Sequence, residues 1–476
     1  MKRMFNFTCK LGTEMKGRLT SIQVDYVLDH IAHHAEVDDK LAQLINYGVK
    51  PVPGLASIYF PASEAAVDLD KVIRIDEIPV LYQVDKVSNS FYSFNENSLY
   101  FHHDLLKSIF HLLSGYEEVK NGATDQYGRF PYSQSLQFKL GIIDKPVVNY
   151  YMDIILRGIR QFCEKNRISF QSTPLLKGPI LMLSHDIDFI DAYDLKETAF
   201  KFKQLLGLAV SPFKMKGKIR DAFSAFYHFL NPFSKKNPFW NFTTLRGWES
   251  ERGFQSTYFF LEKGGKYDNS RYRFHDKRIR RLIEDLSDAG DEIGIHGTMQ
   301  SYTSKSAMHR TVEHLRKVSP KPVIGIRQHF LKFKPNVTAQ IQAQLGLRYD
   351  ASLGFSEHEG FRNSYCWPFK FFDFDKHQAM DYWEIPLTVM DVTLFRNRKL
   401  NFDQSRKTIE KLASEVLKFN GIFSLLWHNS FFNDWEFPGV TAHYLGMLDQ
   451  LKNLGMEGLT GREIIEKMET KEPGNS

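Results

Sequence analysis

Cysteine is scarce in this chain: Cys9, Cys163 and Cys366 are the only three in 476 residues, far apart and without a CxxC pair. An odd, dispersed set argues against a disulfide framework or a zinc ribbon and fits a reducing compartment. Long apolar runs are missing too. Nowhere do about 18 consecutive apolar residues occur, so no membrane-spanning helix is expected. The opening Met1-Lys2-Arg3-Met4-Phe5-Asn6-Phe7-Thr8 lacks the sustained apolar stretch and small-residue cleavage site of a secretory signal. The expectation is a cytoplasmic protein. Charge of one sign is also lacking. The 62 Lys and Arg residues face 56 Asp and Glu, and the resulting +6 gives no reason to expect a nucleic-acid partner. No internal repeat or low-complexity tract is evident.

What remains is an ordinary globular composition, 42% hydrophobic and 25% charged, in a chain long enough for two domains. The 14% aromatic share suits either large cores or a cleft that stacks on sugar rings. Residues 1–165 mix amphipathic helical segments (23–35, 104–113, 146–163) with short strands such as 56–60, a mixed α/β pattern. His102 and His103 beside Asp104 read as helix-start and surface chemistry before they read as metal ligands. Residues 166–179 read as a linker. From Ile180 to about 470, apolar strands alternate with helical segments, the pattern of βα units on a parallel sheet. The expected strands are 180–183, 256–260, 292–295, 325–326, 382–385 and 422–427. An insertion at about 196–241, rich in Lys and aromatics, reads as a solvated face over a core or as a basic amphipathic helix in peripheral contact with an anionic membrane.

Chemistry-bearing residues follow these strands at their C-terminal ends, where α/β sheets build active sites. Asp186 and Asp188 end the first strand. At i and i+2 they share one face, so their charges need a proton or a cation between them, unless Asp188 simply caps a following helix. His296 ends a second strand, in His-Gly-Thr-Met-Gln-Ser, with Gln300 four residues on. Arg327 and His329 follow a third, and Leu426-Trp427-His428-Asn429 closes a fourth. Histidine and aspartate are good ligands for zinc and related ions, and a Gln carbonyl is a weaker one. Arg327 could instead pair with a carboxylate such as Asp350. Cys366 reads as a buried thiol, and Glu384 ends a strand near this chemistry.

Asp186-Ile187-Asp188, His296, Arg327 and Leu426-Trp427-His428 stand in the order of the motifs of polysaccharide deacetylases of the NodB-homology, carbohydrate esterase family 4 type. The chain resembles that family over about residues 178–435. The segments Ser114-Gly115-Tyr116-Glu117-Glu118 and Gly128-Arg129-Phe130 resemble an N-terminal domain of unknown function found in some bacterial members. The resemblance implies a distorted, incomplete (β/α) barrel and a divalent metal, zinc or similar. It also implies removal of N-acetyl groups from an amino sugar in a polysaccharide, glycan or glycan precursor. Carried over, Asp186 is the catalytic base, Asp188 and His296 are metal ligands, Arg327 orients the base and His428 is the general acid. Trp367, Trp427 and Asn429 line the substrate groove. The family has a histidine where this chain has Gln300. The third ligand is therefore Gln300, or His329, or the site works without a tightly held metal. Two other readings stand beside the deacetylase: a non-catalytic carbohydrate-binding or assembly protein with a degenerate site, and an amidohydrolase of a small non-sugar amide.

Overall fold

A computed structural model describes residues 10–11, 17–35, 39–49, 54–85, 88–171, 173–192, 195–209, 215–231, 237–265, 267–268, 270, 272–434 and 437–470. Residues 1–8, Cys9, and stretches 210–214 and 232–236 of the insertion lie outside them. Packing separates the chain into two compact units, one of residues 1–181, 330–425 and 461–476 and the other of 182–329 and 426–460.

In the first unit, Lys10–Leu11, Ile45–Tyr47, Ile58–Phe60, Ser98–Phe101 and Tyr92–Asn95 lie side by side in that order. Only the last pair is antiparallel. The helix Val147–Asn166 packs on this sheet through Gly158, where a Cβ would sit 3.2 Å from the Phe101 ring. The helix Leu105–Leu113 starts where Asp104 accepts from the Lys107 N–H, an ordinary N-cap. Burial lifts the Asp104 carboxyl to about 6 in spite of the donors around it. His103 is buried and His102 bonds Ser93 at 2.8 Å, so the pair serves packing.

The family-like segments of the N-terminal part hold distant chain. Glu118 takes a forked pair of bonds from Arg362 (2.9 and 2.7 Å), and Arg129 donates to the Phe330 carbonyl at 3.2 Å. A buried, bidentate arginine–carboxylate pair is among the stronger polar contacts available. These contacts join residues 330–425 to the N-terminal part within the first unit. Cys163 and Cys366 are buried free thiols, and burial pushes Cys366 well above the ordinary thiol range. Glu384 and Asp350 receive the backbone N–H groups of Leu353 and Ser352, and burial raises both carboxyls. Their work is to brace this loop.

The second unit carries the βα units. Four strands, β1 (Ile180–Ile187), β2 (Ser256–Leu261), β3 (Glu292–Gly297) and β4 (Gly325–Gln328), pair in parallel in chain order. All residues of each are buried, as expected of parallel strands covered on both faces. Between β1 and β2 come helices α1 (Leu195–Leu205), α2 (Met215–Leu230) and α3 (Phe242–Ser250). Helix α4 (Lys277–Asp288) leads to β3 and buries Ile279, Leu282, Ile283 and Leu286, the i, i+3, i+4, i+7 stripe of a helix laid on a sheet. Helix α5 (Lys305–Arg316) leads to β4. This is the βα order of an incomplete (β/α) barrel wall, the fold class expected from the sequence. Among the described residues no helix is long and apolar enough to cross a membrane.

Candidate active site

Strand register sets the site. Asp186 pairs across to Phe259, and Phe259 to Gly294. One step further along, Leu261 pairs with His296 and His296 with Arg327. Because faces alternate along a strand, these residues and Asp188 share one face. Gly294 is required there, since a Cβ would come within 2.6 Å of the Phe259 ring. That ring in turn carries the Arg327 guanidinium, 4.6 Å from its centre, a cation–π seat. From it Arg327 donates to Asp186 Oδ1 at 3.0 Å and to Ser184 Oγ at 2.9 Å. Arg327 therefore pairs with Asp186 and not with Asp350.

Asp188 stands just beyond β1, and the next helix begins only at Leu195, so it caps nothing. Its Oδ1 is buried without a hydrogen bond, 3.3 Å from His296 Nε2 and 3.9 Å from His329 Nε2. Its Oδ2 lies 3.8 Å from His428 Nε2. Burial pushes the Asp188 carboxyl up, but His329, then His296 and His428, pull it well below the usual carboxylate range. The His296 imidazole shows the reverse balance: burial lowers it, and Asp186 with Asp188 raise it further, for a net rise. The two carboxylates thus call for positive charge between them.

Asp188, His296 and His329 offer ligand atoms that all lie within 4.8 Å of one another. A tetrahedral ion with bonds near 2.1 Å holds its ligands about 3.4 Å apart, so small side-chain shifts close this set on zinc or a similar ion. The histidines are prepared for it. His296 Nδ1 donates to the Arg327 carbonyl at 2.9 Å and His329 Nδ1 to Asp268 Oδ1 at 2.9 Å. Each bond fixes the tautomer that leaves Nε2 with a free lone pair, as second-shell acceptors do in metal sites. Gln300 is exposed in the turn after β3 and lines a cavity of about 650 Å³.

Asp268 was not singled out in the sequence. It lies in irregular chain after β2, where no periodicity marks it, and its carboxylate also accepts the Met299 N–H at 2.9 Å. The loop after β2 and the turn after β3 are thereby tied to one group. The available signal was its place after the C-terminal end of a strand. Replacing it by Asn removes the charge that orients His329. Metal titration of Asp268→Asn is expected to show affinity lower by about 10- to 100-fold. Unchanged affinity would reduce Asp268 to a loop tie.

A buried network carries the His428 segment. His185, on the opposite face of β1, bonds the Trp427 carbonyl at 2.6 Å and Glu249 at 2.9 Å. Glu249 also receives Tyr444 and Ser256. Burial lowers the His185 imidazole, but the Glu249 carboxylate raises it more. Three residues expected at the substrate groove are all buried. Trp427 is fully buried and packs against Tyr444, 5.1 Å between ring centres. Trp367 is fully buried with its N–H on the Phe419 carbonyl. Asn429 is fully buried and donates to the carbonyls of Phe189 and Phe239. The tryptophans complete packing and Asn429 clamps a loop, because filling a core secures more contact area than presenting a ring to solvent.

The 650 Å³ cavity shares Asp268 with this centre and is lined also by Lys263, Arg273, Arg310 and Lys317. Among the described residues these cations form no ion pair, whereas Glu262 is taken up by His314 at 2.9 Å.

Residues 16–164 match the model of a family of unknown function, DUF7033. Similar solved structures include deacetylases, an allantoinase and a CE4-family pseudoenzyme. A Mycobacterium smegmatis protein assigned to the polysaccharide deacetylases is 15% identical, with a TM-score of 0.41 over 62% of this chain and 92% of that one. The allantoinase PuuE is 12% identical, with a TM-score of 0.40 over 62% and 92%. A CE4-family pseudoenzyme from Bacillus anthracis is 11% identical, with a TM-score of 0.29 over 61% and 67%. No curated protein sequence matches the chain.

Proposed function

We propose that the chain is a metal-dependent hydrolase that removes an N-acetyl group from an amino sugar in a polysaccharide, glycan or glycan precursor. The observation that carries this reading is the face shared by Asp186, Asp188, His296 and Arg327, with His329 and His428 reaching it. A pair of carboxylates is divided there between an arginine and three imidazoles. Asp188, His296 and His329 would hold a divalent ion, which when bound would supply Lewis acidity toward an amide carbonyl and a water. Asp186 takes the proton of that water on Oδ2, since Oδ1 is held by Arg327. Arg327 keeps the carboxylate aimed, and its burial on Phe259 prevents it from swinging away. His428, largely buried and beside Asp188, delivers a proton to the departing amine, a task suited to imidazole.

The four cations of the adjoining cavity favour a substrate with an anionic extension, such as a phosphate-linked amino sugar. Metal-loaded protein is expected to release acetate from nucleotide- or lipid-linked N-acetyl sugars in preference to neutral chito-oligosaccharides. Absence of acetate release across both groups, from protein shown to hold metal, would overturn the hydrolase reading.

A further inference from the structure

The helices α1 and α2 form a hairpin whose polarity is reversed. Bulky apolar side chains normally face inward along one helical stripe. Here α2 buries Asp221, Ala222 and Ala225 and turns outward Met215, Ile219, Phe223, Phe226 and Leu230, with Phe223 62% and Leu230 60% exposed. These five follow helical spacing, so they make one continuous stripe. Polar contacts join the helices, with Lys201 paired to Asp221 at 3.0 Å and Thr198 donating to the Ala225 carbonyl, beside an edge-on contact of Phe202 with Phe226; Lys201 also pairs with Glu197 of its own helix at 3.4 Å. Helix α1 adds exposed Leu195 and Phe200, and Leu206 follows just after its end. A contiguous apolar surface of this kind marks an interaction site.

Charge identifies what covers it. The two helices carry six Lys and Arg against two acids, and the single Lys201 engages both acids. A second copy would bring like charge against like charge. Anionic lipid headgroups complement the cations while the acyl boundary takes the aromatic and aliphatic side chains, the arrangement of an interfacial amphipathic helix. We propose that the hairpin of α1 and α2 docks the protein peripherally on an anionic lipid bilayer. The inference rests on this surface alone and stands independently of the hydrolase reading.

Flotation of the full chain with vesicles of phosphatidylcholine, with or without phosphatidylglycerol, tests it. The protein is expected to float with the anionic vesicles at least about tenfold more than with the neutral ones. Phe223→Ser combined with Leu230→Ser is expected to cut that binding by about tenfold or more, with an unchanged near-ultraviolet circular dichroism spectrum. Lys216→Glu with Lys218→Glu, which leaves the apolar stripe intact, should also weaken it. Equal recovery with neutral and anionic vesicles would overturn the proposal. So would a concentration-dependent dimer that the Phe223 and Leu230 changes abolish, since the stripe would then face a second copy.

Discussion

Asp186→Asn is expected to lower turnover by about 10²- to 10⁴-fold, the usual worth of a positioned general base, while metal content stays near that of the unaltered protein. The split follows from geometry. Asp186 is bound through Oδ1 to Arg327 at 3.0 Å and approaches His296 only to 3.6 Å, outside the group of Asp188, His296 and His329. An amide in its place keeps the volume and the bond from Arg327 but has no affinity for a proton. Acetate release measured alongside bound metal separates the roles, because Asp188→Asn and His296→Ala should lower both together. Full activity in Asp186→Asn would show that the proton goes elsewhere and that Arg327 serves structure.

The second large effect concerns the third ligand. His329→Ala should weaken metal binding by more than the roughly 10- to 100-fold typical of a supporting residue, whereas Gln300→Ala should leave it unchanged. His329 presents Nε2 to Asp188 Oδ1 at 3.9 Å and is braced by Asp268, whereas Gln300 is exposed and lines the neighbouring cavity. Competition against a chelating dye measures both variants directly, without relying on catalysis. The opposite ranking would return the ligand role to Gln300. Failure of the unaltered protein to take up any divalent ion would remove the metal from the proposal.

The strand-end chemistry was legible because it depends on short-range rules. An apolar run ending in Asp186-Ile187-Asp188 places two carboxylates on one face whatever surrounds it. His296, Arg327 and His428 likewise follow apolar runs that read as buried parallel strands. Asp268 was illegible, since its role depends on a loop folding back to His329. Phe259 was passed over as core, although it seats Arg327 above Gly294. The aromatic residues misled in the opposite sense: Trp367 and Trp427 look like sugar platforms in sequence, yet both are sealed in packing. Nothing local distinguishes a ring that meets a ligand from one that meets a core.

By itself the sequence determined the α/β class and the strand ends that carry carboxylate, imidazole and guanidinium, consequences of periodicity and residue type along the chain. Only the tertiary structure decided that Asp188 gathers His296 and His329, that Asp268 orients one of them, and that helix α2 turns large apolar side chains outward. Those facts depend on which faces meet and which groups are left without water. Such pairings between residues tens to hundreds of positions apart exist only after the chain has folded.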